Sequence, residues 1–343
     1  MIFNKNNEGS NELRILTGSY YKSNDFDKIS VKVLLSSEEL AALIGEAIFK
    51  RAENHYLSDN YLQPEPEEPE EPDSSDNDEN EPDFPLLDQL VQHIQLPISF
   101  QATLWHYQSN DLSHEDSGRK MKIDPETEKI AWDWQYDRDD AAALRNYQKA
   151  FDRLIKFLNK YADFFPEWAE STARSQSLEL FINTWEHFNR LYSIDNSPVF
   201  FLRLAPIMRE VERKFIKPIL GDDAFKNLKT EIKDGEMENQ ELYEYICDPI
   251  PLLTMARAVR RFSLTLIPSG VVQNYFSEQQ TREASMPPAP QLIDAFAKSH
   301  EADGLRALNE LKKFWRTIHT DESQVSIDDL LPRQTSQDKF LCL

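Results

Sequence analysis

LVQHIQLPI at residues 90–98 and LYEYICDPI at residues 242–250 carry Leu, Ile, Pro and Ile in one register, 152 residues apart. The alignment runs without a gap from 90–118 onto 242–270. It holds seven identities: Leu90/Leu242, Ile94/Ile246, Pro97/Pro249, Ile98/Ile250, Leu112/Leu264, Ser117/Ser269 and Gly118/Gly270. The flanks repeat in the same order. ELRILT (12–17) matches ELFINT (179–184), ELAALIGEA (39–47) matches RLAPIMREV (203–211), and AFDRLIKFLNKY (150–161) matches ALNELKKFWRTI (307–318). A period this long exceeds that of any solenoid repeat. The chain therefore reads as two tandem copies of one domain, 12–162 and 179–319, with a C-terminal tail over 320–343.

The 343 residues suffice for two domains with sizeable cores, and 40% of them are apolar. No apolar run approaches 18 residues, which argues against a membrane span. The polar start MIFNKNNEGSNE lacks the layout of a secretory signal. Cys247 and Cys342 lie far apart, so a disulfide framework is not expected and a reducing compartment such as the cytoplasm fits. A net charge of −22 argues against nucleic acid as a partner, because the phosphate backbone is also negative. Half of that charge comes from 63–83, which holds 11 acidic residues, no basic ones and almost no apolar surface. It reads as an extended loop insertion in the first copy, or as a segment that docks on a basic surface. The second copy has apolar residues at helical spacing in the equivalent place, Phe225, Leu228 and Ile232.

Periodicity predicts helices over 36–56, 86–108 and 138–161 in the first copy and over 197–220, 241–266 and 290–319 in the second. Ser36 or Ser37 would cap the first. Pro206 would make its partner begin near Ala205 or kink there. Pro97 and Pro249 fall inside the second pair and should produce equivalent kinks or breaks; Gly118 and Gly270 should form equivalent turns. In GRKMKIDPETEKIAWDW, alternating Met121 and Ile123, a turn at 124–127, then alternating Ile130, Trp132 and Trp134 predict a β-hairpin over 119–134. Short strands are also predicted at 12–17 and 179–183. The fold class is mainly α: two tandem duplicated helical domains with short β-hairpin elements.

Candidate chemistry is sparse. His106, His114, Glu115 and Asp116 cluster, but no two histidines lie four apart on a helix, as a zinc helix requires. Their counterparts in the second copy are Ala258, Leu266, Ile267 and Pro268. Asp137, Asp139 and Asp140 suit a helix N-terminus. No Gly-rich phosphate loop or nucleophile elbow is present, so neither a catalytic residue nor a cofactor is assigned. Cys247 reads as a small core residue. Arg257, Arg260 and Arg261 of MARAVRRF would form a basic helix face, for an acidic partner or for local carboxylates.

SHEDSGRKMKIDPETEKIAWDWQYDRDD, FLRLAPIMREVERKFIKPILG and RRFSLTLIPSGVVQ resemble an uncharacterised family found in Bacteroidetes and in their phage-like genomic regions. ERKFIKPILG (212–221) is also similar to the first long helices of small phage head–tail connector proteins. The resemblance implies a non-enzymatic phage or prophage structural or assembly protein. It would partner portal or tail components and form a homo-oligomer in the assembly. The alternative is a cytosolic two-domain binding or regulatory module for a peptide or small ligand.

Overall fold

The computed structural model describes residues 1–18, 25–62, 84–110, 112–115, 118–121, 132–235, 238–262, 264–267, 270–273 and 290–319. Both calls on 63–83 and the tail from 320 fall outside them. In chain order the elements begin with α1 (Gly9–Thr17), α2 (Asp27–Ile44), α3 (Glu46–Leu57) and α4 (Phe84–Asn110). The pair β1 (Leu112–Glu115) and β2 (Gly118–Met121) follows, then α5 (Asp133–Lys160), α6 (Pro166–Ala169), α7 (Thr172–Leu178) and α8 (Trp185–Leu191). Next come α9 (Pro198–Val211), a π turn (Glu212–Ile216), α10 (Lys217–Leu220), α11 (Asp222–Asp234), α12 (Gln240–Cys247) and α13 (Pro249–Phe262). The last elements are β3 (Leu264–Ile267), β4 (Gly270–Gln273) and α14 (Pro290–His319). The fold is mainly α, and no described helix is long and apolar enough to cross a membrane.

Contacts divide the chain into two compact units, Met1–Ala205 and Pro206–Val272 with α14, the division falling inside α9. In the first unit α4 is the central helix, and α1, α2, α3 and α5 pack against it. Leu90, Ile94 and Ile98 of α4 meet Leu154 and Leu158 of α5, and Leu40, Ile44 and Ile48 of α2 and α3, in one buried cluster. A polar network ties the N-terminal segment to this core. The Tyr56 hydroxyl donates to Glu12 Oε1 at 2.6 Å and accepts from the Lys5 amide at 2.7 Å. Burial raises the pKa of both Tyr56 and Glu12. His55 Nε2 lies 2.7 Å from Asp88 Oδ1, which also accepts from the Leu62 amide at 3.3 Å. In the second unit α12 and α13 pack along α14, while α10 contacts α11 and α14.

Several boundaries differ from those predicted. Ser36 and Ser37 are buried inside α2 and are not its cap. Their hydroxyls donate to Gln101 Oε1 and to the Val33 carbonyl, both at 2.7 Å. The predicted helix over 36–56 instead starts at Asp27 and is divided at Gly45, whose φ of +104° suits glycine. The helix after Ser197 does not wait for Ala205. The Ser197 hydroxyl accepts from the Phe200 amide at 3.1 Å, and Asp152 Oδ1 accepts from the Val199 amide at 3.1 Å, so α9 opens at Pro198. The expected strand at 12–17 is the end of α1, because Leu13 and Leu16 face the core at helical spacing while Ile15 is exposed. The expected strand at 179–183 is a turn and bends in which Leu180, Phe181 and Ile182 are all buried, and no strand among the described residues pairs with them.

The hairpin predicted over 119–134 is also displaced. β2 pairs backward, antiparallel to β1, with Leu112 opposite Met121 and Glu115 opposite Gly118. The predicted turn and Ile130 lie outside the described residues. Trp134 belongs to α5, which starts five residues before Arg138 because the Gln135 side chain accepts from the Trp132 amide at 2.9 Å. Similarly, 241–266 is not one helix: it breaks after Cys247, and α13 ends at Phe262 before β3.

Candidate interaction site

Arg257, Arg260 and Arg261 stand at i, i+3 and i+4 on α13, a spacing that places them together on the helix surface. Each has a carboxylate within reach. Arg261 Nη2 lies 2.5 Å from Glu210 Oε2, and Arg257 Nε lies 3.5 Å from Glu210 Oε1. Arg257 also stacks over the Phe215 ring at 4.7 Å and has a 16% exposed side chain. Arg260 spans Asp294 at 3.2 Å and Glu301 at 3.4 Å on α14. The hydrogen bond from Arg261, aided by the charges of Arg261, Arg257 and Lys214, holds the Glu210 carboxyl below its usual range. Lys298 and Arg260 do the same for Asp294.

Arg260 and Arg261 remain 41% and 50% exposed. Exposed pairs of this kind contribute about 0–1 kcal/mol and are screened by salt. A denser array of carboxylates on a partner could therefore exchange for Glu210, Asp294 and Glu301 at small cost. The arrangement suits recognition of an acidic surface, and Arg257 with its stacked Phe215 forms its fixed end.

Pro97 and Pro249 behave differently. Pro97 sits inside the continuous α4, whereas Pro249 is the first residue of α13, after a one-residue interruption at Asp248 that keeps helical dihedrals. Each proline leaves a carbonyl one turn upstream without its amide donor, that of His93 or Tyr245. Pro251 removes a second donor, and the combination opens a break that Pro97 alone does not. Gly118 and Gly270 are the first residues of β2 and β4, and Ser117 and Ser269, with which they were expected to form turns, lie outside the described residues.

The histidine cluster is dispersed. His106 is in the last turn of α4, 3.0 Å from Asn110 Nδ2; His114 and Glu115 belong to β1; and Asp116 lies outside the described residues. Among the described residues no group of three or more His, Cys, Asp or Glu is placed to hold a metal ion. Asp139 and Asp140 lie within α5, not before it, and Asp140 accepts from Gln108 at 2.9 Å. Cys247 is buried, and burial pushes its thiol up.

Sequence reasoning missed Glu212 and Lys229. Glu212 opens the π turn with a side chain only 3% exposed, and Lys229 Nζ from α11 meets it at 2.6 Å. The only sequence signal was indirect: Phe225, Leu228 and Ile232 turn one face of α11 inward, and Lys229 follows Leu228.

A family of unknown function, DUF6712, matches residues 40–177 and 216–322, more than half of the chain. The chain belongs to that family. No curated protein and no solved structure matches it.

Proposed function

We propose that this DUF6712 member is a non-enzymatic structural or assembly protein of a phage or prophage, of head–tail connector kind, built by duplication of one helical unit. It acts in the cytoplasm or within a virion, joins portal or tail components, and self-associates in the assembly. The observation that carries the duplication is a matched pair of aromatic stacks. His93 lies on Phe157 with ring centroids 4.5 Å apart, and Tyr245 lies on Phe314 at 4.5 Å. His93 and Tyr245 are aligned by the 152-residue shift; Phe157 and Phe314 are aligned by the match of 150–161 onto 307–318.

Element boundaries support the same reading. α4 ends at Asn110 and α13 at Phe262; β1 and β3 begin at Leu112 and Leu264; β2 and β4 begin at Gly118 and Gly270. All three pairs keep the 152-residue shift. α5 and α14 begin at Asp133 and Pro290, in step with the shift of their own block. Burial repeats too: Leu90, Ile94, Pro97 and Ile98 are buried, as are Leu242, Ile246, Pro249 and Ile250. A repeated helical unit with an arginine face suits assembly by protein contact, and Arg257, Arg260 and Arg261 are the residues assigned to that contact. The test is co-expression with the neighbouring phage structural proteins, followed by mass measurement and particle imaging. A complex that Arg260→Glu and Arg261→Glu weaken supports the assignment. Failure to join any portal or tail component overturns it.

A cleft beside Arg174 in the first unit favours a second reading, a binding or regulatory module for a small ligand.

A further inference from the structure

We infer that the cleft between α5, α7, α8 and the start of α9 binds a small aromatic carboxylate. This rests on the second reading alone and is independent of the assembly role. The cleft measures about 210 Å³. At about 30 Å³ of liquid per water this is the space of about seven waters, or of one ligand the size of phenylacetate. Its walls include Trp168, Trp185 and Phe201, of which Trp168 and Phe201 are buried. The Trp168 indole N–H is already committed to Asn159 Oδ1 at 3.0 Å, so that wall offers ring surface and no free donor.

The polar group that gives the cleft its selectivity is Arg174. Arg174 is half-buried and lines the cavity, and its Nη1 donates to the Ala169 carbonyl at 3.3 Å. Two other half-buried arginines have carboxylate partners: Arg51 lies 3.1 Å from Glu167, and Arg257 lies 3.5 Å from Glu210. Arg174 has none within ion-pair reach among the described residues. A guanidinium carries five donors in a fork that matches a carboxylate. One is used, leaving the rest for an anion. Asn183 adds an amide to the lining, and Lys156 lies over the Trp185 ring at 4.8 Å, so a second cation stands beside the same wall. Glu186 also lines the cleft, but it is exposed and in the first turn of α8, where the helix dipole accounts for it. Aromatic walls around an arginine fork select a flat apolar body bearing one carboxylate.

The test is titration of the full chain with phenylacetate, followed by saturation-transfer NMR and calorimetry, with phenylacetamide as the neutral isostere. We expect saturable phenylacetate binding, and binding of the amide at least about tenfold weaker, since charge-assisted bonds are the strong ones. Arg174→Gln should weaken phenylacetate binding by about tenfold or more while leaving the circular dichroism spectrum unchanged. Three results would each overturn the inference: no saturable binding at millimolar phenylacetate, equal binding of acid and amide, or a folded Arg174→Gln variant that binds as the parent does. The acid–amide comparison uses the parent protein, so it decides the matter even if the variant does not fold.

Discussion

The two proposed repeats solve one packing problem with different chemistry. At the helix position after the matched blocks 39–47 and 203–211, the first repeat has Ile48, fully buried, and the second has Glu212, also buried. A carboxylate in that environment is tolerated only with a partner, and Lys229 provides one from α11. In the first repeat, the stretch equivalent to α11 is the acidic 63–83, which contains no lysine. The comparison teaches that Glu212 and α11 belong together: the buried acid makes physical sense only where the extra helix brings its amine. The aromatic stacks make the same point more mildly. Both repeats keep a phenylalanine, but its partner is a histidine in one and a tyrosine in the other.

The largest test of this comparison is Lys229→Met. It removes the ammonium paired with the buried Glu212 carboxylate and should destabilise the protein by about 3–5 kcal/mol. Adding Glu212→Ile, the side chain of the first repeat, should restore most of that loss in chemical denaturation. A double variant no better than the single would break the coupling.

Next in size are the two stacks. Phe157→Ala should cost about 3–5 kcal/mol, because Phe157 is buried among Phe165, His93 and Tyr161. Phe314→Ala should cost about half as much, because Phe314 is only partly buried. Equal midpoint shifts would mean that the two stacks are not graded by burial.

Smaller again is a pH effect confined to the first repeat. Burial, aided by the charge of Arg153, lowers His93 from its ordinary 6.5 to about 4. The unfolded chain therefore takes up the proton before the folded one does. The contribution of neutral His93 is fully present above about pH 6.5 and is lost as pH falls toward about 4. His93→Tyr, which copies Tyr245, should flatten the stability profile over that window. A profile unchanged by the substitution would place the acid sensitivity elsewhere.

The smallest effect belongs to the exposed arginine face. Glu210→Gln should change stability by less than about 1 kcal/mol, and by less still at high salt. A larger loss, measured by thermal denaturation, would show that the face is a structural element rather than an exchangeable one.

The long periodic elements were legible in the sequence. α14 has the predicted bounds and α4 differs by two residues at each end, because their apolar stripes persist over many turns. Two of the misread places were ones where a polar side chain is explained only by a distant partner. Ser36 looks like a cap until Gln101 is beside it, and Glu212 looks like a surface residue until Lys229 reaches it. Of the candidate interaction site, the arginine spacing was readable, but Glu210, Asp294 and Glu301 come from other helices and gave no signal. Arg174 stands in no motif, and it sits on α7, which like α8 across the cleft is only 7 residues long, too short for periodicity to mark.

The π turn at 212–216 has a consequence for how residues on either side are counted. The Lys217 amide donates to the Glu212 carbonyl, five residues back, and Pro218 cannot donate at all. One residue more per turn sets everything after Ile216 out of phase with Pro198–Val211 by about 100°. A single-residue deletion within the turn would convert it to ordinary α-helix and leave Leu220 on the buried face it now fills, whereas a single-residue insertion would swing it away. The segment should therefore accept the loss of one residue more readily than the gain of one.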